Sequence, residues 1–141
     1  MPTDDELAAL GTAFDLFTRR YKLAEVLGPE QPLNELDKQV LFYTARQPGC
    51  GPSDVARFLG VANTTISSAT DRLVKRGLLA RQRQESDRRA VALHLTEPGQ
   101  RRVADLHAMY GALHRRMLEP LSAAERTQLI AMMTKIISYD T

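Results

Sequence analysis

Residues 51–99 read GPSDVARFLG VANTTISSAT DRLVKRGLLA RQRQESDRRA VALHLTEPG, and the order of patterns within them decides the fold. Ser53 is placed to cap a short helix, with Asp54 in its first turn and Val55, Ala56 and Leu59 facing inward. Gly60 offers the left-handed conformation that stops a helix and turns the chain. A second helical pattern runs from about Asn63 to Arg76, with Ile66, Ala69, Leu73 and Val74 as its apolar stripe, and Gly77 ends it. Two helices joined by a short glycine-containing turn predict a helix-turn-helix. After Gly77 the period falls to two. Leu78–Arg83 and Ala90–Leu95 read as strands, the second alternating Val91, Leu93 and Leu95 with Ala90, Ala92 and His94. The polar, charged segment 84–89 between them is the tip of a hairpin, and a basic hairpin in this position is a wing.

Working outward, Glu6–Leu27 predicts an amphipathic helix, since Leu7, Leu10, Phe14, Phe17, Tyr21, Ala24 and Leu27 recur at spacings of three and four. Gly28-Pro29 ends it. A helix from about Asn34 to Ala45 carries Leu36, Val40, Leu41 and Thr44 on one face, before Pro48-Gly49-Cys50-Gly51-Pro52 breaks the chain. Beyond the wing, Thr96 or Pro98 opens a long helix to about Leu118, with Val103, Leu106, Tyr110, Leu113 and Met117 on one side. Ser122 caps a last helix bearing Leu129, Ile130, Met133, Ile136 and Ile137. The first and last helices hold more apolar surface than a small winged lobe can use, which predicts a second subunit.

The net charge of +2 hides a division. Between Arg46 and Arg102 stand eleven basic and five acidic residues, a balance of +6, against −4 for the remainder. A basic middle between acidic ends suits a module that binds a polyanion, although a chance surface distribution gives the same count. One cysteine, Cys50, excludes an internal disulfide framework. No stretch approaches the roughly 20 apolar residues of a membrane span, and the acidic Met1–Glu6 is unlike a secretory signal. The expected location is the cytoplasm. No catalytic constellation and no cofactor-binding motif appears, so the expectation is a non-enzyme without a cofactor.

Four elements stand in order: Asp71-Arg72-Leu73, Gly77-Leu78, Asp87-Arg88-Arg89 and Leu95-Thr96-Glu97-Pro98-Gly99. Together they resemble the signature of the MarR family of transcriptional regulators. The resemblance implies a mainly α (α+β) fold, a single domain over 1–141, with a winged helix-turn-helix lobe at 33–99 and dimerisation helices at 5–28 and 98–139. It implies a homodimer that binds double-stranded DNA, each recognition helix in a major groove and each wing in the adjacent minor groove. It also implies an effector-responsive repressor of a palindromic operator, released by a small aromatic molecule or by oxidation.

The candidate residues follow from that reading. Asn63, Thr64, Thr65, Ser67 and Ser68 form an uncharged hydrogen-bonding surface opposite the apolar stripe, suited to base edges in the major groove. The same residue types also suit an ordinary helix start. Many members of the family carry an arginine near the position of Ser68; here a guanine contact is lost with it. In the wing, Arg89 aligns with the family's minor-groove arginine, Arg88 suits a phosphate, and Asp87 suits a bond to Arg89 or a brace of the hairpin. Arg57, Arg72, Lys75, Arg81 and Arg83 are candidates for phosphate contact, some of them serving instead as intramolecular partners.

Phe14, Phe17, Tyr21, Phe42 and Tyr43 are candidates to line a ligand cavity, or plain core. Cys50 invites a redox role, but related peroxide sensors carry their thiol near the start of the first helix, and a small buried filler is the simpler reading. His107 and His114 lie about two turns apart on one helix, too far to share a metal, so no metal site is expected. Two rival functions remain: a winged-helix module that binds other proteins without sequence-specific DNA binding, and a small enzyme using Cys50 or a histidine.

Overall fold

The structure is a computed structural model and describes residues 1–23, 31–83 and 90–139. Its elements in chain order are α1 (Asp4–Phe17), a wider π-helical turn (Thr18–Lys22), α2 (Glu35–Arg46), α3 (Pro52–Leu59), α4 (Asn63–Lys75), β1 (Leu79–Arg83), β2 (Val91–Leu95), α5 (Glu97–Leu118) and α6 (Ala123–Ile137). The chain divides into two compact units, Met1–Arg101 and Arg102–Thr141.

The first unit contains the helix-turn-helix. Leu41, Val40, Val55, Ile66, Ala69, Leu73, Leu79 and Leu93 are sealed from solvent and form one core across α2, α3, α4 and the hairpin. Helix α2 starts where Asn34 Oδ1 accepts from the Asp37 amide at 2.7 Å. Helix α3 starts two residues earlier than expected. Ser53 lies inside it, exposed, and the cap is Gly51, whose amide donates to the Asp54 carboxylate at 2.9 Å. Pro52 takes the first helical position, where a missing N–H costs nothing. Gly60 ends α3 with φ of 69°, as its place in the sequence requires.

The hairpin is antiparallel, pairing Leu79 with Leu95, Arg81 with Leu93 and Arg83 with Val91. On its far side β2 receives one more pair of bonds. The Gly49 amide donates to Leu93 O and the Leu93 amide to Cys50 O, both at 2.8 Å. Consecutive Ala92 and Leu93 are both buried, so β2 is covered on both faces and the strict alternation expected there is broken. At the far end of the hairpin, Thr96 Oγ1 donates to Gly77 O at 2.6 Å and accepts from the Gly99 amide at 3.0 Å. The Leu-Thr-x-x-Gly step therefore closes the base of the wing and starts α5 together.

One core position is imperfect. Thr70 on α4 is buried, and its hydroxyl has no hydrogen-bond partner among the described residues. An unmet buried hydroxyl is costly, and valine keeps its shape without the polar atom. Thr70→Val is expected to raise stability by about 1 kcal/mol, seen as a higher urea midpoint at unchanged slope. A lower midpoint would mean that the hydroxyl has a partner.

Helix α1 begins at Asp4 because Thr3 Oγ1 accepts from the Glu6 amide at 3.1 Å while the Glu6 carboxylate accepts from the Thr3 amide at 3.3 Å. The expected helix over 6–27 is thus helical through Leu23, and its last residues lie outside the described ones. Leu7, Leu10 and Phe14 on it are exposed. In the second unit, Ser122 caps α6 as expected, accepting from Glu125 N and donating its own amide to the Glu125 carboxylate, which lowers the pKa of that acid. Ile130, Met132, Met133, Ile136 and Ile137 on α6 are exposed. No described helix is long and apolar enough to cross a membrane.

Candidate nucleic-acid interface

Burial of Ile66, Ala69, Thr70 and Leu73 sets the rotation of α4. Asn63, Thr64, Thr65, Ser67 and Ser68 are consequently all exposed. Helix-start duty does not account for them. The N-cap is Ala62, and among the described residues no side chain caps this helix. Because each residue advances about 100°, Thr64, Ser68, Asp71 and Lys75 share one stripe, with Ser67 beside it. Thr65, Arg72 and Arg76 form the next stripe, about 100° around. The amides of the first turn are left for an external acceptor. Ser53, Ala56, Arg57, Val61, Ala62 and Asn63 line a shallow hollow at the elbow between α3 and α4.

The basic residues expected at phosphates divide. Arg57 Nη1 is 3.5 Å from Asp54 Oδ1, within α3, and stays largely exposed. Arg81 on β1 pairs with Asp71 on α4, tying the strand to the helix. Arg72 pairs with Asp37 at 2.8 Å. Lys75 is exposed on the first stripe, and Arg83 is exposed at the end of β1. Asp87, Arg88 and Arg89, the expected minor-groove residues, lie outside the described residues.

Asp37 and Lys38 are the residues that sequence reading missed. Asp37 is 3% exposed, and so is Lys38, whose Nζ is 3.3 Å from Glu35 Oε1. A signal for Asp37 existed. It falls in the stripe of Leu33, Val40, Leu41 and Thr44, and an acid amid apolar residues calls for a cation. Which cation answers it, 35 residues away, spacing does not tell.

The aromatic candidates sort into pairs. Phe17 packs on Tyr21 with centroids 5.0 Å apart, while Phe14 is exposed. Tyr43 packs instead on Phe58, at 4.8 Å, and the Arg46 guanidinium lies over the Phe58 ring, 5.3 Å from its centroid. Phe58 was not among the sequence candidates, and Phe42 is half-buried.

Cys50 is buried beside Thr44, with Sγ 3.9 Å from Thr44 Oγ1, which itself donates to Val40 O. Burial raises the thiol pKa above its ordinary range, only partly offset by Thr44. The nucleophilic thiolate is therefore scarce at neutral pH. Under native conditions at pH 7, Cys50 is expected to react with iodoacetamide at least tenfold more slowly than in urea. Equal rates would restore a reactive thiol to consideration.

The first unit is thus a helix-turn-helix followed by a hairpin, with the polar face of α4 exposed. The profile described as the MarR family matches residues 32–90. Over those residues the chain is similar to the MarR family. The chain is 24% identical over 96 residues to the HTH-type transcriptional regulator BilQ of Clostridium symbiosum (strain WAL-14163), covering 68% of this chain and 67% of that protein. Among solved structures it resembles Streptococcus pneumoniae FabT in complex with DNA, with a TM-score of 0.79 and 21% identity over 93% of this chain and 94% of that one. YusO of Bacillus subtilis matches with a TM-score of 0.74 and 22% identity, covering 99% and 100%. PcaV of Streptomyces coelicolor in complex with its natural ligand gives 0.65 and 25%, covering 95% and 91%.

Proposed function

We propose that this chain is a DNA-binding transcriptional regulator of the MarR family that acts in the cytoplasm as a homodimer on a palindromic operator. One observation carries it: a helix locked by a fully buried stripe turns five uncharged hydrogen-bonding side chains, Asn63 to Ser68, outward beside a basic hairpin. Asn63 suits an adenine edge, and the methyls of Thr64 and Thr65 suit a thymine methyl. The uncapped first turn of α4, together with Arg57 at the elbow, suits a phosphate. Lys75 and Arg83 serve as further phosphate contacts, and Arg89 enters the minor groove.

The exposed apolar residues of α1 and α6 supply the surfaces that a second subunit covers, within the stretches 5–28 and 98–139. The lobe at 33–99 then repeats by two-fold symmetry, so half-sites stand about one helical turn apart, ~34–36 Å. The complex of FabT with DNA and that of PcaV with its ligand support this reading. An aromatic effector acts by favouring a dimer whose lobes are wrongly spaced, which requires unequal affinity for the two arrangements.

Footprinting of the purified protein on genomic fragments tests the proposal. A protected two-fold site whose affinity falls steeply with salt is the expected result. Arg89→Ala is expected to weaken binding to that site more than about tenfold, or ~1.4 kcal/mol. Binding without sequence preference, or affinity indifferent to salt, would point to a protein-interaction module instead.

A further inference from the structure

Arg72 and Arg76 stand one turn apart on the same side of α4 and reach the same place. Arg72 Nη2 donates to Asp37 Oδ1 at 2.8 Å; Arg76 Nη2 donates to Gln31 O at 2.7 Å and its Nη1 to Pro32 O at 3.2 Å. All three acceptors lie at the start of α2 or in the chain that leads into it. The Asp37 side chain is only 5% exposed, whereas that of Arg72 is 45% exposed. A carboxylate so placed holds its cation firmly, because leaving it unpaired in a dry site is costly. The stripe of Thr65, Arg72 and Arg76 is also turned about 100° from that of Thr64, Ser68, Asp71 and Lys75.

We propose that Arg72 and Arg76 are positioning residues, not phosphate ligands: they lash the C-terminal half of the recognition helix to α2, and buried Asp37 thereby governs specificity without meeting DNA. The inference rests on the DNA-binding function proposed above. Its physical basis is leverage. Helix α4 is anchored at its C-terminal half, and a small rotation about that anchor displaces Asn63, Thr64 and Ser67 at the other end. Hydrogen bonds to base edges tolerate little displacement, whereas contacts to a uniform backbone tolerate more. Losing the anchor should therefore erode discrimination between sequences more than general affinity.

Two duplexes separate this role from phosphate contact: the footprinted site, and a scrambled one of equal length. Full-length wild type, Arg72→Lys, Arg72→Gln, Asp37→Asn and Lys75→Gln are titrated on both from 50 to 300 mM salt, at concentrations and with ranges chosen as usual for counterion analysis. Arg72→Lys keeps the charge and loses the guanidinium geometry. The expected result is at least a tenfold loss on the footprinted site for Arg72→Lys and Asp37→Asn, with scrambled binding unchanged. Arg72→Gln should leave the salt slope as in wild type, while Lys75→Gln flattens it by about 0.9.

If Arg72→Lys binds both duplexes like wild type, or Arg72→Gln flattens the slope as Lys75→Gln does, the arginine touches phosphate and the inference is overturned. Arg72→Lys, altered at a half-exposed position, decides the matter even if Asp37→Asn fails to fold. A wild type that cannot tell the two duplexes apart is a different failure, that of the proposed function itself.

Discussion

Ile66→Ala is expected to cost about 2–5 kcal/mol of folding stability. Ile66 is fully buried on α4, and its core neighbours come from α2, α3 and the hairpin. A domain of this size has only about 5–15 kcal/mol in total, so the loss is a large fraction of what holds it together. At roughly 3–4 °C per kcal/mol the melting temperature should fall by about 6–20 °C. The same cavity loosens the rotation of α4, so operator affinity should drop even at temperatures where the variant remains folded. A melting temperature within about 2 °C of wild type would mean that Ile66 is not the pivot of this core.

Gly99→Ala is the second large effect, and its sign is the test. In most helices, replacing glycine by alanine is stabilising, by roughly 0.5–1 kcal/mol. Here a Cβ would lie 2.0 Å from Leu78 O and 3.0 Å from its carbonyl carbon. That oxygen has little freedom to move, because it accepts the Thr96 amide at 3.2 Å where β2 ends. The helix must back away from the base of the wing, at a cost of about 1–3 kcal/mol or more. Thermal melting should show the loss, and hydrogen exchange should show the Thr96 amide losing protection. A variant more stable than wild type would place Gly99 away from Leu78.

Much of the lobe was legible because periodicity reports burial directly. Ile66, Ala69 and Leu73 recur at helical spacing, and their burial makes the exposure of Asn63, Thr64 and Ser67 a geometric consequence. Glycines 60 and 77 marked helix ends through the left-handed conformation that both adopt. Local capping was less legible. Ser53 looked like a cap, but Pro52 suits the first helical position and Asp54 closes the turn onto Gly51, which moves the start two residues earlier. Long-range pairing was illegible altogether. Nothing local distinguishes Arg72, held by Asp37, from Lys75, three residues on, although the two have different surroundings. The pairing of Tyr43 with Phe58 escaped for the same reason, since it depends on how α2 crosses α3.

The bonds from Gly49 and Cys50 to Leu93 have a practical corollary. They fasten the middle of β2 to the segment ahead of α3, while Thr96 fastens its end to Gly77. The hairpin is thus riveted at its root on both margins. Doubling the length of a loop costs only about 0.6 kcal/mol in closure entropy. A root held in this way is a fixed handle, whose bearing against α4 is set by Gly49, Cys50 and Thr96 and not by the length of the connection that the strands carry.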